Sequence, residues 1–389
     1  MLALQAVTPE KLASVVPGVT LAEARKLVAR VHRGEPIAAT SAVRRTAADA
    51  VRAAGQVPQL AVVTETASAV DPFVKYLVEA PDGARVEAVR IPLEVAGRFS
   101  ACVSSQVGCA LACAFCATGR LGLSRNLEAW EIVEQVRIIR ARLPDRSSID
   151  RRRGALGPAD RSSIDRPRVP RSGVPSGQGA LGPADRSSID RPRVHGVVFQ
   201  GMGEPMANVD AVLDAIAVLT EPCALGIDAR AITVCTAGLP HGIRRLAAAQ
   251  PKVRLGLSIG SARDAVRRDV MPIARAHDFS DVIAAVADHA RATGLSPMFA
   301  VTLLDGVNDG DADAHALAEL ATRFAAGTQI RPRISIIAYN TSGAADPFRR
   351  SAREAAFRGV LADAGLASHR RYSGGADIAA ACGQLVAAG

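Results

Sequence analysis

Three cysteines, Cys109, Cys113 and Cys116, fall in the order C-x-x-x-C-x-x-C. Thiols this close in sequence converge naturally on one metal centre, and the segment carrying them must fold tightly around it. Structural zinc sites use four protein ligands, usually from paired CxxC elements. No second CxxC pair occurs in this chain. Iron–sulfur clusters are commonly held by four thiolates. Three would leave one iron without a protein ligand, and an open position is where a substrate can bind. The chain has seven cysteines in all, the others being Cys102, Cys223, Cys235 and Cys382. The number is odd and four are crowded together, unlike the even spread of a secreted disulfide framework. The pattern points to a reducing compartment and to metal or redox chemistry.

The chain has 389 residues, 49% apolar and 22% charged, which fits a globular protein of more than one unit. No uncharged apolar run is long enough to predict a membrane-spanning helix. The first residues do not show the basic leader and apolar block of a secretory signal. These features predict a cytoplasmic protein without membrane attachment. The net charge of +9 suggests an anionic partner. More than half of it comes from residues 143–194, which hold 11 Arg and 6 Asp.

Residues 1–56 read as a small helical accessory domain, with Leu21, Leu27, Val28 and Val31 as buried positions. Residues 57–94 read as a strand-rich connector, with strands over 59–65, 73–79 and 86–91. From Cys102 onward short apolar strands alternate with amphipathic helices. Asn126 and Ser280 are candidate helix caps. Repeated strand–helix pairing predicts an α/β fold, a parallel sheet with helical crossovers, open or closed into a barrel. In either form the chemistry belongs at the carboxyl ends of the strands. The segment 155–169 recurs unchanged at 180–194 and is rich in Pro, Gly, Ser and Arg. Residues 144–194 are therefore expected to be a disordered, duplicated insertion, a solvated loop between a helix and the next strand.

The flanks of the cysteine trio narrow the reading. Cys102-Val-Ser-Ser-Gln-Val-Gly-Cys109-Ala-Leu-Ala-Cys113-Ala-Phe-Cys116-Ala-Thr-Gly, followed by Arg125-Asn126-Leu127, resembles the RlmN/Cfr family of RNA adenosine methyltransferases in the radical S-adenosylmethionine superfamily. So do Gly201-Met-Gly-Glu-Pro205 and the C-terminal Ala381-Cys382-Gly-Gln-Leu385. The resemblance covers roughly 57–389 apart from the insertion. It implies a partial (β/α) barrel over 95–372 and a tail over 373–389 that carries Cys382.

The resemblance further implies a [4Fe-4S] cluster on Cys109, Cys113 and Cys116, and two molecules of S-adenosylmethionine per turnover. The first would methylate Cys382. The second would yield a 5′-deoxyadenosyl radical that takes hydrogen from this S-methyl group. The carbon radical would add to C2 or C8 of an adenine, in 23S ribosomal RNA first and transfer RNA second. Cys102 would then attack the Cys382 sulfur, freeing the methylated base and leaving a Cys102–Cys382 disulfide. Adenine C2 and C8 are electron-poor, which is why simple displacement by a carbon nucleophile fails and a radical route is needed. By the same resemblance Glu87 is the proton acceptor. Gly203, Glu204, Cys235, Ser258, Ile259, Gly260 and Asn340 match positions that bind S-adenosylmethionine. Cys235 stands where the family usually has serine, and Gly260 where it has histidine. Cys223 has no motif and reads as structural. A flavodoxin-like electron donor and a monomeric enzyme complete the expectation. Two alternatives remain at this point: a radical enzyme of the same cofactor class with another substrate, and a non-catalytic, metal-stabilised RNA-binding protein.

Overall fold

A computed structural model of the chain describes residues 1–144, 192–341 and 346–387. The expected insertion over 144–194 lies outside the described residues except at its ends, where Arg193 and Val194 already belong to a strand.

The N-terminal segment forms helices α1 (Pro9–Val15), α2 (Leu21–Arg33) and α3 (Arg45–Ala54). Their starts follow local chemistry. The Thr8 hydroxyl accepts from the Lys11 amide, with Pro9 in the first turn. Thr20 and Glu23 make a reciprocal capping box, and Gly34 ends α2 in the left-handed conformation. Ala24, Leu27, Val28 and Val31 are buried together, as helical spacing requires. Leu21, expected inside, is 38% exposed, because at the first helical position its side chain leans past the end of the helix, with no preceding turn beneath it. Glu23 also grips Arg44 with both carboxylate oxygens at 2.8 Å, tying α2 to the start of α3. A short parallel pair, β1 (Leu2–Ala3) with β2 (Gly55–Gln56), joins the two ends of this unit.

The rest is built on one ten-stranded sheet. Strands β3 (Ala61–Ala67), β4 (Val74–Glu79), β5 (Arg85–Pro92) and β6 (Arg98–Val103) run antiparallel. The first expected strand is displaced by two residues. A separate hairpin, β7 (Gln106–Cys109) and β8 (Gly122–Asn126), brackets the cysteine trio and was not read from the sequence. Beyond it come β9 (Arg193–Phe199), β10 (Ile232–Thr236), β11 (Arg254–Ser258), β12 (Met298–Leu303), β13 (Arg333–Ala338) and β14 (Ser368–Arg371). Spatial order runs β14-β13-β12-β11-β10-β9-β6-β5-β4-β3, and the seven strands from β14 to β6 are mutually parallel.

Helices cross between them: α4 (Ala117–Arg120), α5 (Ala129–Ala141), α6 (Val209–Thr220), α7 (Pro240–Ala249), α8 (Asp264–Val270), α9 (Phe279–Thr293), α10 (Asp311–Thr328) and α11 (Glu354–Asp363). The result is a partial (β/α) barrel. Ile132, Val133, Val136 and Ile139 of α5 and Val212, Ile216 and Leu219 of α6 are fully buried against the sheet. Two caps differ from expectation. Asn126 closes β8 and accepts from the Gln106 side-chain amide, so Glu128, with Glu131, makes the capping box of α5. Ser280 lies inside α9, whose cap is Asp278. Gly365 follows α11 with φ +74°, the expected left-handed stop. Among the described residues no helix is long and apolar enough to cross a membrane.

Two strand ends turn on glycine. After β9, Gly203 has φ +96°, and a Cβ there would lie 2.5 Å from Gln106 Cβ and 2.8 Å from its amide nitrogen. After β11, Gly260 has φ +71°, and a Cβ would meet Met271 Sδ at 2.5 Å. A side chain at the second position would need left-handed backbone and a shift of the Met271 side chain.

Two outcomes are expected. Gly203→Ala adds left-handed strain to overpacking against rigid backbone, and should lower stability by roughly 2–5 kcal/mol, read from the denaturant midpoint. Glu23 is held well below the usual carboxylate range by Arg44 and the Thr20 amide. Its folded pKa is depressed, so its contribution is present above the unfolded value, about 4.3, and fades as pH falls below it. Thermal melts should show Glu23→Gln less stable than wild type at neutral pH, with the gap narrowing below that value.

Candidate active site

The carboxyl ends of the parallel strands rim a cavity of about 250 Å³. Alternation along each strand sends every second side chain inward. Cys102 near the end of β6, Cys235 on β10 and Ser258 at the end of β11 all face it. Gly203, Glu204 and Gly260 line it from the loops that follow β9 and β11.

Cys109, Cys113 and Cys116 border the same cavity. Their loop turns through Ala112 at φ +51°, with the Cys116 amide bonded to the Cys113 carbonyl at 3.0 Å. Burial pushes the Cys109 thiol up to about 11, and raises Cys113 further, with its neighbours Cys116 and Cys109 adding to the shift. Bound iron reverses that preference by favouring thiolate. Among the described residues no three His, Cys, Asp or Glu side chains close on the centre of a single ion. A cubane distributes three thiolates over three irons, so three sulfurs on one cavity wall fit it better than they fit zinc.

Glu204 is 4% exposed. Its Oε2 accepts from the Ala237 amide at 2.8 Å and its Oε1 from the Met206 amide at 3.0 Å. Burial raises its pKa, opposed by these amides. With both oxygens occupied, this segment offers a ligand mainly the bare backbone of Gly203.

The tail reaches the cavity through a set of polar bonds. The Ala117 amide donates to the Gly383 carbonyl at 2.8 Å, and Thr118 Oγ1 donates to the Leu385 carbonyl at 2.5 Å. These tie the tail to the helix that follows the cysteine trio. Asp71 Oδ2 accepts from Tyr372 and from the Gly375 amide, and Asp377 accepts from Ser68 and the Ala69 amide. The Cys382 amide donates to Ser373 Oγ at 2.9 Å. Cys382 thereby lines the cavity that holds Cys102 and the trio. Burial pushes the Cys102 thiol up to about 12, with Cys382 next to it.

Three residues expected at the site do not line this cavity. Asn340 Nδ2 donates to Ser373 Oγ at 3.1 Å and to the Cys382 carbonyl at 3.3 Å, so it supports the tail. Ile259 is fully buried in the core, its amide bonded to the Ala300 carbonyl. Glu87 is 3% exposed, paired with Lys75 at 2.8 Å, and accepts from the Val386 amide at 2.9 Å behind the tail. Cys223, read as structural, packs against the N-terminal helical core.

Sequence reasoning missed Arg371. It ends β14, lines the cavity, and has no hydrogen-bond partner for its buried Nη1 among the described residues. Its strand, Ser-His-Arg-Arg, is too short and polar to carry a pattern.

No protein-family model matches the chain. A protein of Sorangium cellulosum named "Probable RNA methyltransferase" is 54% identical over 97% of this chain and 90% of its own length. A protein of Syntrophobacter fumaroxidans named "Dual-specificity RNA methyltransferase RlmN" is 36% identical over 80% of this chain and 76% of its own. Among solved structures, a radical SAM methyltransferase from Sphaerobacter thermophilus is 31% identical, covers 100% of both chains and superposes with a TM-score of 0.76. The chain thus belongs to the RlmN/Cfr-like family of radical S-adenosylmethionine RNA methyltransferases, enzymes that work with a [4Fe-4S] cluster and S-adenosylmethionine.

Proposed function

We propose that this enzyme methylates a ring carbon of adenine, C2 or C8, in RNA by way of a methyl group carried on Cys382, with Cys102 as the resolving thiol. The observation that carries the reading is the shared cavity of Cys102, Cys382 and the cysteine trio. The proposed substrate is 23S ribosomal RNA, with transfer RNA as a second. The word "dual-specificity" in the name of a relative supports two substrate classes.

Cys109, Cys113 and Cys116 would hold the cluster, which supplies the electron that cleaves S-adenosylmethionine to a 5′-deoxyadenosyl radical. Gly203 and Glu204 would receive the methionine part through their backbone. Cys235, Ser258, Ile259 and Gly260 are assigned to the remaining contacts, and Asn340 to keeping the tail against them. The Cys382 thiolate takes the first methyl group. After hydrogen removal its carbon bonds to the adenine ring, which then gives up one proton and one electron, the electron going to the oxidised cluster that the cysteine trio would hold. Glu87 accepts that proton. Because Glu87 also holds the Val386 amide, the tail must shift before the ring proton can reach it. Cys102 as thiolate attacks the Cys382 sulfur, forming S–S as the S–CH2 bond breaks. The methylene carbon keeps the electron pair and takes a proton.

The proposal extends to a monomer in the cytoplasm, where a flavodoxin-like protein supplies electrons and cellular dithiols reset the disulfide. The N-terminal helices serve as an accessory domain, the strand-rich segment as a connector and the barrel as the catalytic core.

Two experiments test this. Wild-type enzyme given S-adenosylmethionine should show a methyl group on Cys382 by peptide mass spectrometry. Cys382→Ala should show none and make no methylated adenine. A methylated product from that variant would end the proposal. Glu87→Gln should keep Cys382 methylation but slow the formation of methylated RNA by about 10²–10⁴-fold, the usual worth of a positioned base.

A further inference from the structure

Cys102 and Cys382 are not the only thiols available to each other. In the ladder, Val198 of β9 pairs with Cys102 on one side and with Thr233 on the other. Cys102 and Thr233 therefore face the same way, and Cys235, two residues on, faces that way again. Cys235 is buried at the cavity wall beside Gly256, where any Cβ would come within 3.0 Å of its sulfur. Its thiol donates to Gln200 Oε1 at 3.6 Å.

Arg371 lines the cavity together with Cys102, Cys235 and Cys382, near enough for its charge to act on all three sulfurs. Burial opposes its charge, and the surrounding sulfurs of Cys382, Cys235 and Cys102 more than offset this. A buried cation needs a counter-charge. Its charge in turn favours the thiolates of Cys102 and Cys235, against the burial that raises both thiols.

We infer that Cys235 is a second resolving thiol, able to displace the product carbon from Cys382 when Cys102 does not. The inference rests on the reading of Cys382 as carbon carrier. As thiolate, Cys235 attacks the Cys382 sulfur of the thioether-linked RNA. An S–S bond forms and the S–CH2 bond breaks. Both sulfurs are oxidised by one electron each, and the carbon leaves with the pair and is protonated to methyl. A small-molecule or protein dithiol then reduces the Cys235–Cys382 disulfide.

The test reads linkages rather than turnover alone. Cluster-loaded full-length protein is held anaerobically in a glutathione redox buffer, free thiols are alkylated, and disulfides are mapped by peptide mass spectrometry. Wild type should join Cys102 to Cys382. Cys102→Ala should join Cys235 to Cys382. Cys102→Ala/Cys235→Ser should leave Cys382 capped by glutathione. With S-adenosylmethionine, reductant and RNA added, the adduct on Cys382 should clear in the single variant, leaving methylated adenine, and persist in the double. Glutathione capping of Cys382 in Cys102→Ala, alongside normal Cys102–Cys382 pairing in wild type, overturns the role of Cys235 alone. Failure of wild type to pair Cys382 with either thiol overturns the carrier reading together with it.

Discussion

The fastening of the C-terminal tail to the cysteine-bearing loop is the contact on which the site depends. Two hydrogen bonds, from Ala117 and Thr118 to the carbonyls of Gly383 and Leu385, join segments more than 260 residues apart in sequence. Each such bond contributes about 1 kcal/mol net, so neither would order the tail alone. Asp71, Asp377, Asn340 and Gln384 add further bonds along the same stretch. Together they hold Cys382 on the cavity wall. The parallel strands provide the complementary half. Their alternation fixes Cys102, Cys235 and Ser258 on one face, with no freedom in where those side chains point.

The buried setting has an electrostatic consequence. Taking thiols out of water keeps them protonated, as the raised values at Cys102, Cys235 and Cys109 express. Nucleophilic sulfur in such a place needs a cation at hand. Arg371 is that cation at the strand side of the cavity, and bound iron would serve at the loop side. The cavity is thereby divided into two sulfur neighbourhoods that share a wall and differ in what offsets their charge.

Much of this was legible in the sequence because it was written in local terms. The trio announced itself by spacing, and strand–helix alternation from Cys102 onward gave the parallel sheet. Buried faces such as Ile132, Val133, Val136 and Ile139 followed the helical period. What escaped was non-local. The hairpin β7–β8 has little apolar pattern and is set by the loop it encloses. Arg371 looks like any surface arginine until the sheet curls and brings β14 toward β6. The caps at Asn126 and Ser280 were misjudged because a suitable residue type stood close to the true start, and tertiary packing chose its neighbour. At Gly260 the missing histidine could be read, but the left-handed backbone and the neighbouring Met271 side chain could not.

The sheet stops short of closing. Its terminal strands, β14 and β3, lie at opposite ends of the order and share no ladder. The gap between them is bridged by carboxylates, hydroxyls and amides at Asp71, Asp377 and Ser68. Parting any two neighbouring strands elsewhere would strip a whole row of main-chain bonds. Along this suture only a handful must give way, and the strip of chain that would lift is the one bearing Cys382.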